Sequence, residues 1–276
     1  MMSMDTHDEN EGELDLLLEE VYQRYHYDFR CYVRSSLHRR IAQAQSSLGS
    51  PSIRHLRDRI IREPGAFTEL LRHLTIQVSD FFRDPGYHRV LRKKVVPHLA
   101  TFPSVKIWVA GCGAGEEAYS IAIILHEERL LERSLIYATD IDAESLRAAE
   151  TGIYEAGRVC GFSENYIHAG GRASLSNYYT TDYSRVVFSP MLRKHILFCD
   201  HSLATDAVFA EVHLVSCRNV LIYFDQALQH RVIGLFRDSL CPRGFLGLGS
   251  QETLTFSTHA AAFAPFARAE QIYRLR

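Results

Sequence analysis

Three things are missing from this 276-residue chain, and each absence closes off a class of function. No Cys-x-x-Cys pair occurs among its six cysteines (Cys31, Cys112, Cys160, Cys199, Cys217 and Cys241), and its histidines show no ligand spacing, so no metal site is expected. Several of these cysteines sit in apolar runs, the usual place of a reduced, buried thiol. No apolar stretch approaches the roughly 20 residues that span a bilayer, and the acidic N-terminal end has no apolar signal core. A cytoplasmic protein without membrane insertion is the expectation. The third absence is an overall basic footprint: the net charge is −2, which argues against a nucleic-acid partner. That figure hides an uneven distribution. Residues 1–20 hold eight acids and no Lys or Arg, whereas residues 21–80 hold ten Arg against five acids.

With 46% hydrophobic residues, the chain can bury one full domain core and carry a smaller second unit. Residues 1–13 read as a disordered acidic tail. Leu14, Leu17, Leu18, Val21 and Tyr25 begin a helical spacing that Phe29, Val33, Leu37 and Ile41 continue, up to a stop at Gly49. Ser50-Pro51 reads as a cap followed by proline at the first helical position, opening a helix that ends before Pro64. A third helix is expected over 66–76, which makes 14–80 a small helical domain. Ile53, Leu56, Ile60 and Ile61 share one face of the second helix, with Arg54, Arg59 and Arg62 on the other. Those arginines are either simply solvated or a docking surface for an acidic helical partner. Residues 81–104 form a linker and helix, with Asp84-Pro85-Gly86 as its start and Tyr87, Leu91 and Val95 along one side until Pro97.

From residue 105 onward the pattern alternates. Strands are expected near 105–110, 135–140, 195–200, 212–217 and 244–249, with helical spacing between them. The expected fold class is therefore α/β, a doubly wound, mostly parallel sheet covered on both faces. Two further strands are expected near 263–266 and 271–275, in antiparallel arrangement. Between about 160 and 192 the alternation breaks, and Asn177-Tyr-Tyr-Thr-Thr-Asp-Tyr183 with Arg185-Val-Val-Phe188 predicts a small antiparallel β insertion.

The most informative stretch follows the first of these strands. Gly111, Gly113 and Gly115 let the backbone turn tightly and approach a ligand, and Ala118, Ile121, Ala122 and Leu125 then take up helical spacing. A dinucleotide fingerprint needs Gly at the sixth position; here Glu116 stands there and Glu117 follows. Carboxylates suit the start of a helix but repel a diphosphate. A ligand with a positive centre and no phosphate fits better, and S-adenosylmethionine is one. Asp140 ends the second strand about 25 residues on, where doubly wound sheets bind ribose hydroxyls, so it is the candidate ribose ligand. Asp142 is expected to cap the next helix. An ordinary strand–turn–helix remains the alternative to a ligand site.

Five motifs in one order carry a resemblance. They are Thr75-Ile-Gln-Val-Ser-Asp-Phe-Phe-Arg-Asp-Pro85, Gly111-Cys-Gly-Ala-Gly-Glu-Glu-Ala-Tyr-Ser-Ile121, Ala138-Thr-Asp-Ile-Asp142, Gly152-Ile-Tyr154 and Ser216-Cys-Arg-Asn-Val-Leu-Ile-Tyr-Phe-Asp225. Together they resemble the CheR family of chemotaxis receptor protein-glutamate O-methyltransferases, from about residue 20 to the C-terminus. The resemblance implies a class I methyltransferase-like domain over 105–276 beside the helical domain. It implies S-adenosylmethionine as cofactor, S-adenosylhomocysteine as product, and a chemoreceptor's cytoplasmic helical bundle as partner. It further implies that Gln77, Ser79 and Arg83 contact the cofactor from the linker, that Gly111 lies in the turn beneath it, and that Glu117 takes its amino acid end. Ser202-Leu203 and Asn219-Val220 match the pairs lining its adenosine and methionine portions, and Tyr223 a tyrosine that touches the substrate. A monomer is expected.

The sequence departs from the family pattern at several points. Gln77 and Ser79 stand for Asn and Thr, and Ser202 for Asn. Gly113-Ala114 stands for Ser-Thr, Ala118 for Pro, and Gly249-Ser-Gln-Glu252 for Gly-His-Ser-Glu. None of these removes a charge assigned to chemistry. Arg83 and Tyr223 are the candidate catalytic residues, although Arg83 has an alternative as a salt bridge to Asp84 or Asp80, and Tyr223 as packing beside Phe224. Arg218 is left between the surface and a pair with an acid. Two other functions stay open: a module that binds the cofactor without turnover, and a methyltransferase for another substrate.

Overall fold

The computed structural model describes residues 2–75 and 79–276, with side chains described from residue 10 onward apart from Pro64 and Cys160. The chain divides into two compact units, residues 1–77 with 223–229, and residues 78–222 with 230–276.

The first unit is helical. Helix α1 (Met2–Tyr25) runs through the acidic stretch expected to be disordered, and buries Leu14, Leu17, Leu18 and Val21. The spacing from Leu14 to Ile41 predicts one continuous helix, but the structure breaks it. His26 takes a left-handed φ of 63°, and α2 begins only at Arg34, running to Leu48. The intervening segment pairs with distant chain: Tyr32 forms an antiparallel bridge with Phe224, Val33 N donates to Tyr223 O at 2.9 Å, and Asp225 N donates to Cys31 O at 2.9 Å. Apolar spacing at 29 and 33 thus reflects packing of an extended piece, which local periodicity cannot distinguish from helix.

Helix α2 stops at Gly49, whose φ of 61° suits glycine. The cap of α3 (Ile53–Arg62) is Ser52, not Ser50: its hydroxyl accepts from His55 N at 3.1 Å, while Ser50 is buried. Ile53, Leu56 and Ile60 face the core as the spacing predicts. Helix α4 (Pro64–Leu74) starts two residues before its expected position, with proline in its first turn.

The second unit is built on a seven-stranded sheet. Strands β1 (Val105–Ala110), β2 (Ser134–Asp140), β6 (Ile196–Asp200), β7 (Val212–Cys217) and β8 (Leu240–Leu248) are parallel, whereas β10 (Ile272–Leu275) pairs antiparallel with both β8 and β9 (Phe263–Ala267). Their order across the sheet is β6-β2-β1-β7-β8-β10-β9. The strands accumulate outward in both directions from β1 and β7, so the strand order reverses between these two. Open α/β sheets hold ligands at such a reversal, beyond the carboxyl ends of the strands. Helix α7 (Glu116–Glu127) follows β1 and is buried without interruption from Ala118 to Leu125, because it is covered on both sides: by the main sheet and by aromatic residues of a smaller one. Phe188 of that small sheet lies 5.2 Å from the ring of Tyr119.

The small sheet is antiparallel, as expected, but begins earlier than residue 160. Its order is β3 (Ile153–Glu155), β5 (Arg185–Phe188), β4 (Tyr179–Asp182), and residues 156–168 between β3 and β4 are mostly helical. The segment leading into β1 also departs from expectation. Asp84 makes no side-chain cap for α5 (Pro85–Val90); it holds φ at 53° and sends its carboxylate to Arg218. Beyond α5 the chain passes through a π-helical turn over residues 91–95 and then through Pro97 without stopping, ending at Leu99. Among the described residues, no helix is long and apolar enough to cross a membrane.

Candidate active site

The site is assembled from the ends of four strands. After β1 the chain turns through Gly111, Gly113 and Gly115, with φ values of 71°, 54° and 95°. Gly111 is required by more than its dihedral: a Cβ there would fall 2.4 Å from Cγ2 of Val220. The two turns that follow β1 and β7 are therefore in van der Waals contact, and only glycine allows it. Gly111 N and Cys112 N both donate to Thr139 O, at 2.8 and 2.9 Å, which fastens the turn to the end of β2.

Asp140 closes that side. Its Oδ2 accepts from Gly113 N at 2.8 Å and its Oδ1 from Asp142 N at 3.0 Å. Burial pushes its carboxyl up from the ordinary range, against the pull of those N–H donors. Each oxygen has one further lone pair, so a diol could still donate to it. Asp142 takes the capping role predicted for it, accepting from Glu144 N at 3.0 Å and Ser145 Oγ at 2.9 Å.

Glu116 and Glu117 open α7 but point into different surroundings. Glu116 is fully buried, its Oε1 is 3.4 Å from Arg158, and its Oε2 has no hydrogen-bond partner. Burial pushes its carboxyl up to about 7. Glu117 instead accepts from Ser216 Oγ at 2.5 Å and from Arg218 Nη1 at 3.1 Å. The turn is thus flanked by carboxylates, which fits a ligand carrying a positive centre and hydroxyl groups and does not fit a diphosphate.

Beyond β7, Asn219 holds a left-handed φ of 62°. Glu252 supports this loop, accepting from the main-chain N–H groups of Asn219 (3.1 Å), Val220 (2.8 Å), Leu221 (2.8 Å) and Gly249 (2.5 Å). Beyond β6, Ser202 and Leu203 lie in a turn that closes on itself. Ser202 N donates to Asp206 Oδ2 at 2.9 Å, Ser202 Oγ accepts from Thr205 N at 3.3 Å, and Leu203 O accepts from Arg231 at 2.8 Å. The Ser202 hydroxyl is therefore already engaged in its own turn.

Arg83 is half-buried and, among the described residues, makes no ion pair with Asp80 or Asp84. The salt-bridge alternative for it is not taken: Asp84 pairs with Arg218 at 2.7 Å. Ser79 precedes it, its carbonyl accepting from Arg158 at 2.8 Å. Gln77 lies outside the described residues. Tyr223 belongs to the helical unit, where its ring lies 4.4 Å from the guanidinium of Arg40, itself buried and bonded to Leu74 O. Gly111, Glu117, Asp140, Asn219 and Val220 are thus gathered around one reversal point in the sheet, with Ser202 and Leu203 beyond the next strand.

The sequence did not reveal Ser216, Tyr87 or Glu252, all of which act on the site by hydrogen bonds across long sequence separations. For Glu252 the one available signal was its place in Gly249-Ser-Gln-Glu252. Among the described residues no cluster of three or more His, Cys, Asp or Glu could hold a metal ion.

The chain is also similar to known proteins. Residues 77–269 match the family model described as CheR methyltransferase, SAM binding domain, and residues 12–75 match the one described as CheR methyltransferase, all-alpha domain. The chain is 49% identical over 262 residues to Cher3 of Pseudomonas putida, covering 95% of this chain and 96% of that one. It is 32% identical over 188 residues to a chemotaxis protein methyltransferase of Listeria monocytogenes, covering 67% and 69%. To chemotaxis protein methyltransferase 1 of Pseudomonas aeruginosa it is 29% identical over 233 residues, covering 78% and 80%.

Proposed function

Because the chain belongs to the CheR methyltransferase family, we propose that it transfers methyl groups from S-adenosylmethionine to glutamate side chains on the cytoplasmic helical bundle of chemoreceptors or related sensory proteins. The observation that carries this reading is the pair of carboxylates, Asp140 and Glu117, set on either side of a glycine turn too crowded for a Cβ at Gly111.

The donor, when bound, supplies an electrophilic methyl group on a cationic sulfur. Asp140 takes the ribose hydroxyls, Glu117 the ammonium of the amino acid end, and Asn219 and Val220 line the methionine portion. Ser202 and Leu203 line the adenosine, and Gln77 and Ser79 contribute from the linker. A glutamate carboxylate is already ionised at neutral pH, so the chain need not supply a general base. Its work is alignment and exclusion of water from the nucleophile. Arg83, unpaired among the described residues, offers a forked guanidinium matched to two carboxylate oxygens. It orients the substrate while leaving the attacking lone pair free, and Tyr223 contacts the substrate side chain. Such a substrate places the reaction in the cytoplasm.

Incubation with methyl-labelled S-adenosylmethionine and receptor cytoplasmic fragments tests the reading. Base-labile label on receptor glutamates is expected. Label on another class of molecule would move the substrate assignment, and binding without transfer would make the chain a regulatory module.

A further inference from the structure

We propose that Arg218 is a positioning residue for the methionine end of the cofactor, setting the Glu117 carboxylate and the Arg83 main chain through one guanidinium. The inference rests on the cofactor reading of the site. The Arg218 side chain is only 1% exposed, yet it is not paired simply with one acid. Nη1 donates to Glu117 Oε2 at 3.1 Å, while Nη2 donates to Asp84 Oδ2 at 2.7 Å and to Arg83 O at 3.0 Å. The guanidinium carbon lies 4.2 Å from the centroid of the Tyr87 ring.

That ring links back to the same carboxylate. Ser216 Oγ donates to Glu117 Oε1 at 2.5 Å, which leaves the Tyr87 hydroxyl as donor to Ser216 Oγ across 2.7 Å. Both oxygens of Glu117 are therefore fixed, one directly by Arg218 and the other through the tyrosine on which Arg218 is stacked. Glu117, Asp84 and Arg218 together carry one formal negative charge in excess, which an incoming ammonium group would neutralise.

The second action is on the backbone. Phe82 and Asp84, on either side of Arg83, hold left-handed φ values of 54° and 53°. Side-chain-bearing residues stay in this region only where their surroundings over-determine them. Phe82 N donates to Ser120 Oγ at 2.9 Å, and Arg218 holds the other half of the turn by the Arg83 carbonyl and the Asp84 carboxylate. Arg218 thus fixes the turn from which Arg83 projects. A lysine would keep the charge but could not reproduce this fork.

The test is calorimetric titration of the full-length protein with adenosylhomocysteine and with methylthioadenosine, which lacks the amino acid end. In Arg218→Lys, adenosylhomocysteine should bind about tenfold more weakly, with methylthioadenosine changed by less than about twofold. Equal losses for both ligands, or no change in their ratio, would overturn the positioning role. Should circular dichroism show that Arg218→Lys does not fold, Asp84→Asn replaces it, since that carboxylate is 42% exposed. Adenosylhomocysteine alone should then weaken by roughly threefold, and an unchanged ratio would again overturn the role. Failure of the wild-type protein to bind adenosylhomocysteine would sink the cofactor reading and this inference together, whereas a non-selective variant sinks only the inference.

Discussion

Glu252 accepts a hydrogen bond from the main-chain N–H of Asn219 at 3.1 Å, and its carboxylate is shared by the next two N–H groups in the chain. Three successive donors converging on one carboxylate hold Asn219 in its left-handed conformation, 33 residues away in sequence. The loop after β7, proposed to line the cofactor, is therefore shaped by an acid from a distant part of the chain.

Glu252→Gln should unmake this arrangement, because one of its two terminal atoms becomes a donor facing N–H groups. Hydrogen bonds to a charged acceptor contribute about 1.5–3 kcal/mol each, so a stability loss of about 2–3 kcal/mol is expected. Adenosylhomocysteine affinity should fall with it by about tenfold. Urea unfolding and calorimetry on the same variant check both, and an unaltered loop would show in unaltered affinity.

Glu116 makes a pH prediction. Its folded-state carboxyl is pushed up to about 7, above the ordinary 4.5, so the folded protein binds the extra proton more tightly than the unfolded chain. The associated stability is fully present below pH 4.5 and is lost as pH rises through 7. Glu116→Gln should remove that slope. At pH 8 the variant should be more stable than wild type, by up to about 3 kcal/mol less whatever is lost with Arg158. Thermal midpoints measured from pH 4 to 8 decide it: parallel curves for the two proteins would refute the assignment.

Gly111→Ala should cost both stability and binding. Alanine is strained at a φ of 71°, and its methyl would meet Val220 Cγ2 at 2.4 Å. A loss of about 2 kcal/mol or more is expected in chemical denaturation, together with weaker adenosylhomocysteine binding. A variant as stable as wild type would mean that the two loops part easily.

Arg83→Ala should leave the fold intact, since the side chain is half-buried and, among the described residues, makes no ion pair. Methyl transfer should nevertheless drop by well over about tenfold, the scale of a lost charge-assisted contact to a carboxylate. Normal turnover by a folded variant would remove Arg83 from the chemistry.

The sequence alone determined the strand–helix alternation of the main sheet in the second unit. The apolar runs at β1 and β7 give strands because sheet buried on both faces demands continuous apolar residues, and the glycine turn followed by two acids favoured a cationic ligand over a diphosphate. The Asp142 cap was readable because its partners, Glu144 and Ser145, follow it within one turn. Tertiary structure decided what depended on residues far apart in the chain. Tyr32 and Phe224 break the predicted long helix, Arg218 draws Asp84 away from its cap, and Glu252 sets the Asn219 loop. Spacing and propensity report only on near neighbours. A buried charge answers instead to whichever opposite charge or N–H group the fold brings within hydrogen-bond reach, because leaving it unpaired costs more than any local preference returns.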